Sequence, residues 1–459
     1  MKSKTNFFAA HKINKFIVAL LLYIYFFSMA IVPIKIFADD LEINCQSAVL
    51  MDKNTGVVIY QKNPDEKKFP ASTTKVMTAL LVLEKTKDLS QKIKMSHDAI
   101  YNLDKGSSHI AMNEGETLTL EQALYGLLVA SAGEIANSLA EYVSGDGNIE
   151  SFCKLMNQRA KELGCKNTNF INAHGFHNEN HYTSAYDLAL IMRKATEFQK
   201  FNEIINTQRY EIPPTEKQSQ TRVLYNTNKM IHSNGKYFYK NLIGGKTGYT
   251  DEAKHTLVSY AKKDNMELIC AVMEAENFDS YIDTQKIFDY GFENGFHDLN
   301  LLKKNDLQKN CTVIQKYKNK TVDIDTVNVF LENDIVLNVP KVINKSDLKL
   351  ELSLPKKILA PIKKEDCLGY VNIYYKNKLI DKKKLLAEED INLLDEKIIA
   401  KSEFKKLVKK ICWYAFKILV YVGVLIFIVA WILSLVRKFS LKKKRHGKLY
   451  KFDKKKFRR

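Results

Sequence analysis

Ser72 and Lys75, in the stretch Phe69-Pro70-Ala71-Ser72-Thr73-Thr74-Lys75-Val76-Met77, are of types and spacing that could do chemistry. On a helix beginning at the serine, residues three apart lie one above the other, so the lysine amine reaches the serine hydroxyl. A hydroxyl is a weak nucleophile at neutral pH until a neighbour takes its proton, and a lysine does so only when burial or a nearby cation lowers its pKa. A second group is Lys246-Thr247-Gly248, within Gly244-Gly245-Lys246-Thr247-Gly248-Tyr249-Thr250. It offers a cation and a hydroxyl to a carboxylate, and glycine lets a substrate backbone lie against the chain. Between the two, an apolar run at residues 127–130 stops at Ser131-Ala132-Gly133, where a helix is expected to pause and present another hydroxyl. Alone, the Ser-x-x-Lys spacing reads as an N-capping serine beside a solvated lysine. Together, the three groups supply a nucleophile, its base, a second hydroxyl and a holder for an anion.

The elements that must position these groups are visible in the pattern. Thr119 with Gln122 three residues later is a capping-box signature ahead of the apolar run at residues 123–128, a buried helix delivering Ser131 at its end. Ile135, Leu139 and Tyr142, then Phe152, Leu155 and Met156, recur at helical spacing, and residues 187–195 continue in that style. Residues 47–52, 256–260 and 268–273 are short apolar runs bounded by turn residues and read as strands. The resulting class is α+β, an antiparallel sheet flanked by a helical cluster, closed by a helix over residues 278–296. From residue 297 the pattern changes to short alternating segments at 312–314, 327–331, 335–339, 348–352 and 370–375, predicting a small β-sandwich with no catalytic cluster of its own.

The 459 residues carry a formal charge of +19, but the excess is confined to the ends. Residues 1–38 hold five lysines and no acid, and residues 401–459 hold nineteen Lys and Arg against Glu403 and Asp453, so the body is nearly neutral. That distribution argues for membrane topology and against nucleic-acid binding. Residues 16–34 are uncharged and Ala38 precedes Asp39-Asp40, which fits an export signal cleaved after Ala38, with an uncleaved anchor as the alternative. Residues 418–436 are likewise uncharged, with Trp413, Tyr414 and Trp431 towards the ends, and are long enough to cross a bilayer. The basic tail that follows is expected on the cytoplasmic side, which places the body outside the cell. The seven cysteines include no Cys-x-x-Cys pair. Most are expected as buried free thiols, with Cys153 and Cys165 the one pair that could join outside the cell. No His-Glu-x-x-His is present, so neither a metal nor an organic cofactor is expected.

Taken together, Ser72-Thr73-Thr74-Lys75, Ser131-Ala132-Gly133 and Lys246-Thr247-Gly248 resemble the motifs of the low-molecular-weight penicillin-binding proteins, specifically the serine-type D-alanyl-D-alanine carboxypeptidases. The first strand at residues 47–56, His181-Tyr182-Thr183-Ser184-Ala185-Tyr186-Asp187, Asn226-Thr227-Asn228-Lys229 and Leu359-Ala360-Pro361-Ile362 carry the likeness through nearly all of residues 42–395. The resemblance implies a penicillin-binding, β-lactamase-like domain in which Ser72 attacks the carbonyl of the penultimate D-alanine of peptidoglycan stem peptides. Lys75 would be its base, and Ser131 would relay the proton to the leaving nitrogen. Lys246, Thr247 and Gly248 would hold the terminal carboxylate, and the amides of Ser72 and Tyr249 would form the oxyanion hole. β-Lactam antibiotics would acylate the same serine, and other wall enzymes would dock on the β-domain.

One departure stands out: the family's middle motif ends in asparagine, whereas this chain has Gly133. A missing hydrogen bond of this kind costs about 1 to 3 kcal/mol, or roughly ten- to a hundredfold in rate. The expectation is a slow enzyme that Gly133→Asn would speed up. The rival is a membrane-tethered stem-peptide binder that scarcely turns over, and nearer alternatives are endopeptidase or β-lactamase activity. The domain layout expected is 1–38 signal or anchor, 39–296 catalytic domain, 297–395 β-rich domain, 396–410 linker, 411–436 transmembrane helix and 437–459 basic cytoplasmic tail.

Overall fold

The computed structural model describes residues 41–453, with side chains to residue 438. The expected export signal lies outside the described residues. The chain divides into two compact units, one comprising residues up to 299 together with 336–348, the other the remainder.

The first unit begins with β1 (Ser47–Asp52), β2 (Val58–Lys62), a 3-10 turn (Ala71–Thr74) and α1 (Lys75–Lys85). There follow β3 (Lys92–Lys94), α2 (His97–Tyr101), β4 (Thr117–Thr119), α3 (Leu120–Leu128), α4 (Gly133–Ser144), α5 (Ile149–Glu162), α6 (Ala185–Ala195) and α7 (Gln199–Asn206). It closes with β5 (Arg209–Ile212), β6 (Arg222–Tyr225), β7 (Leu242–Thr250), β8 (Lys254–Lys263), β9 (Met266–Ala275) and α8 (Asp279–Asn294). The main sheet has the order β2-β1-β9-β8-β7, with every pair antiparallel.

The sheet is buried on both faces, which explains why its inner strands read as continuous apolar runs. Successive side chains point to opposite faces. Val49, Met51, Val258, Ile269, Ala271 and Met273 therefore join the helical cluster, packing with Leu80, Leu124, Phe152 and Phe201. Ala48, Leu50, Leu257, Leu268, Cys270 and Val272 face the other way, onto Phe288 and Phe292 of α8. Burying each large side chain is worth about 1.5–3 kcal/mol, so this double-sided core holds β7 and α1 in fixed register. The capping box forms as the sequence predicts: Thr119 Oγ1 accepts from Gln122 N at 3.1 Å, and Gln122 Oε1 accepts from Thr119 N at 2.9 Å.

The remaining strands are β10 (Phe296–Leu302), β11 (Lys309–Tyr317), β12 (Lys320–Phe330), β13 (Ile335–Pro340), β14 (Leu348–Ser353), β15 (Lys357–Leu359), β16 (Cys367–Tyr375) and β17 (Lys378–Ala387). Hydrogen bonding in this β-rich domain joins six strands in the order β14-β16-β17-β12-β11-β15. Two long hairpins meet in it through a two-residue seam, Val329 with Ala387 and Phe330 with Leu386. Residues 396–410, expected as a linker, are helical and continue into the apolar segment as α9 (Glu396–Asp453). All seven cysteines are free thiols, Cys153 and Cys165 included.

Gly175 is the tightest backbone approach in the first unit. It has φ +87°, and a Cβ there would lie 1.8 Å from the Ala71 carbonyl oxygen. Gly147 is also left-handed (φ +74°) but has open space around it. Gly147→Ala is expected to cost about 1 to 2 kcal/mol for the backbone alone, and Gly175→Ala distinctly more because the clash adds to it. Urea midpoints of the two variants check this order.

Candidate active site

Local backbone brings Ser72 to the start of α1. The serine lies in the 3-10 turn and not, as expected, in the first turn of the α-helix; Ala71 before it has φ +46°. The turn is held by the Pro70 carbonyl, which accepts from Thr73 Oγ1 at 2.6 Å and from Thr256 Oγ1 at 2.9 Å. The 3-10 geometry still stacks residues three apart, and Lys75 Nζ lies 2.9 Å from Ser72 Oγ. The same nitrogen donates to the His174 carbonyl at 2.6 Å.

Lys75 is only 2% exposed, and burial holds its pKa well below the usual lysine range. The Lys246 cation pushes in the same direction, and the Glu134 carboxylate opposes it. Lys246, on β7, is equally buried. Burial brings its pKa to about 7, and its Nζ donates to the Thr247 carbonyl at 2.8 Å. Two buried amines within reach of each other's field, with little countercharge, favour having at least one of them neutral.

Gly248 passes directly over the nucleophile's turn, where a Cβ would meet Thr256 Oγ1 at 2.4 Å and both the Pro70 carbonyl oxygen and Ser72 N at 2.9 Å. Only glycine lets β7 come this close to the Ser72 amide. Thr247 Oγ1 is 2.9 Å from Thr227 Oγ1. Tyr249 is half exposed at 54%, and its hydroxyl donates to Asp251 Oδ1 at 3.0 Å. Ser131 sits in the break between α3 and α4 with φ +62° and is 5% exposed. A cleft of about 330 Å³ opens over the nucleophile, lined by Ser72, Lys75, His174, Gly133 and Tyr249 together with residues 105–108 and 250–252. Ser131, Lys246, Thr247 and Gly248 lie outside that lining.

Several contributors carried no sequence signal of their own. His174 acts through its backbone carbonyl, and Gly175 packs on Ala71. His181 Nε2 contacts Thr74 Oγ1 at 2.9 Å, with its pKa lowered to about 3 by burial, so the imidazole is neutral. A glycine beside histidines in a polar loop was the available hint. Position 133 is closely packed: a Cβ on Gly133 would lie 2.7 Å from Leu103 Cδ1, the tip of a flexible side chain, and 3.3 Å from the Ser108 carbonyl oxygen. Gly133→Asn therefore requires the Leu103 side chain to turn aside.

Residues 35–277 match the family model described as D-alanyl-D-alanine carboxypeptidase, and residues 296–393 match that of the penicillin-binding protein 5 C-terminal domain. The chain is 34% identical over 358 residues to D-alanyl-D-alanine carboxypeptidase DacF of Bacillus subtilis, covering 77% of this chain and 87% of that one. It is 28% identical over 364 residues to DacA of Escherichia coli, covering 76% and 84%. Among solved structures, penicillin-binding protein 5 from Haemophilus influenzae superposes with a TM-score of 0.52 at 26% identity, over 77% of this chain and 98% of that one. The Streptomyces K15 DD-transpeptidase gives 0.51 at 29% identity, over 55% and 98%. With a family model matching more than half its length, and a relative this similar nearly end to end, the chain belongs to the D-alanyl-D-alanine carboxypeptidase family.

Proposed function

We propose that this protein is a membrane-anchored serine carboxypeptidase that removes the terminal D-alanine from peptidoglycan stem pentapeptides through an acyl-enzyme on Ser72. The observation that carries the reading is the buried Lys75 amine, 2.9 Å from Ser72 Oγ and tied to the His174 carbonyl. In its neutral form the amine donates to that carbonyl and keeps its lone pair for the Ser72 proton. The Ser72 oxygen then attacks the carbonyl carbon of the penultimate D-alanine. The negative charge that develops is received by the amides of Ser72 and Tyr249, each donor worth about 3 kcal/mol in such chemistry. Ser131 passes the proton to the departing D-alanine nitrogen, the carbon–nitrogen bond breaks, and water hydrolyses the ester to free Ser72.

Lys246 and Thr247 would hold the substrate's terminal carboxylate, which makes a free C-terminus the preferred substrate. Gly248 brings β7 close to the Ser72 amide, and Tyr249 N would share the oxyanion with it. β-Lactams present a similar carbonyl and carboxylate and would acylate Ser72 in the same way. The uninterrupted helix α9, whose side chains Tyr421 and Phe427 are 74% and 73% exposed, suits a bilayer span. The basic residues after it favour a cytoplasmic tail and an extracellular catalytic unit. Docking of wall enzymes on the β-domain is part of the same reading.

Ser72→Ala should abolish labelling by fluorescent penicillin and lower D-alanine release from a pentapeptide by at least about a thousandfold. Labelling that persists would move the nucleophile elsewhere. The rate of acylation should rise with pH through the Lys75 pKa, because the neutral amine is the base. Removing the Lys246 charge takes away one cause of that lowered pKa, so in Lys246→Met the acidic limb of the penicillin acylation profile moves to higher pH. A limb that stays or moves down contradicts the pairing. Protease added to intact cells should digest the catalytic unit and spare an epitope placed after residue 459.

A further inference from the structure

The six-strand order of the β-rich domain ends at two unlike margins. β15, at one side, is three residues long. β14, at the other, runs for six residues, Leu348-Lys349-Leu350-Glu351-Leu352-Ser353, with no proline and no left-handed residue in it. A sheet margin presents backbone donors and acceptors to any further strand, and folds usually blunt it by shortening, proline, a bulge or lysine. Only the last of these is present in β14, and there Lys349 is matched by Glu351, with which it forms an ion pair along the strand. Side chains alternate between the faces of a strand, so Leu348, Leu350 and Leu352 share one face and the two charges share the other. Residues 349–353 are all exposed, and Leu350 and Leu352 keep 37% and 40% of their surface in contact with solvent.

We infer that β14 is a self-association edge, pairing antiparallel with β14 of a second copy of this chain so that the two sheets become continuous. The segment selects this occupant because it is complementary to itself reversed. Across a two-fold axis the contacts are reciprocal. With the axis at Leu350, Lys349 faces Glu351 of the other copy, and Glu351 faces its Lys349. On the opposite face Leu350 meets its own copy, and Leu348 meets Leu352. Moving the axis to residue 349 or 351 sets two lysines or two glutamates directly opposite each other, which is destabilising. Charge thus admits one register, the backbone ladder supplies the attraction, and the leucines complete an apolar row. The pairing is independent of the chemistry at Ser72.

The test uses the full-length protein in phosphatidylcholine vesicles, with Cys367→Ser and Cys412→Ser removing the two exposed thiols. In that background Leu350→Cys places a thiol at the two-fold centre. Directly opposed residues of antiparallel strands stand about 4.5–5.5 Å apart, within reach of a disulfide. Mild oxidation should link two copies through position 350 at least about tenfold faster than through Leu379→Cys, a comparably exposed site on β17, as expected of a paired over an unpaired position. Added to Leu350→Cys, Lys349→Glu should slow the linking by about tenfold, and so should Glu351→Lys, because each reversal creates two like-charged pairs. The two reversals together restore opposite charges in every pair and should recover the original rate, a result that misfolding of either single variant could not produce. Linking at 350 no faster than at 379, single reversals without effect, or a double reversal as slow as the single ones overturns the inference.

Discussion

A lysine amine removed from water and held between a serine hydroxyl and a backbone carbonyl is the arrangement on which the rest of this structure depends. Burying an ammonium is costly, and the fold leaves Lys75 few means of offsetting that cost. Its partners are the Ser72 hydroxyl and the His174 carbonyl, and the charge of the buried Lys246 outweighs the opposing Glu134 carboxylate. The inexpensive solution is neutrality, which is also what a general base needs. Structure and chemistry thus impose the same condition on one atom.

Holding that condition requires an unusually stiff surround. The amine's carbonyl partner comes from a loop pinned through Gly175 against Ala71 and through His181 against Thr74. The second amine comes from β7, whose approach at Gly248 leaves no room for a methyl group. Behind both lies a sheet packed on its two faces, so neither α1 nor β7 can shift without disturbing a core in which Leu80, Leu257 and Phe288 are fully buried. Stiffness here comes from the sum of many apolar contacts, with the two glycine approaches at 175 and 248 setting the fine position.

Much of this was legible in the chain. The Ser-x-x-Lys pair, the Lys-Thr-Gly strand and the Thr119–Gln122 cap are local patterns, and local patterns survive folding because neighbours in sequence remain neighbours in space. What stayed hidden depends on backbone or on distance. The His174 carbonyl has no side-chain signature, and Leu103 reaches Gly133 from thirty residues away through packing alone. The β17 strand was missed because the lysines in Lys378–Ala387 mask its alternation, yet every second residue near its end, Leu385 and Ala387, is fully buried. The 3-10 turn at Ser72 replaced an α-helical start because Pro70 and the left-handed Ala71 set a tighter entry than spacing could reveal.

The same burial that readies Lys75 leaves Lys246 titrating at about 7. In the proposed mechanism the two amines have opposite needs: one would act as an acceptor and shed its proton, whereas the other would grip an anion and keep it. Under that mechanism, deprotonation that frees the first amine for bond-making would, at the second, weaken capture. One depth of burial thus serves one amine and threatens the charge of the other.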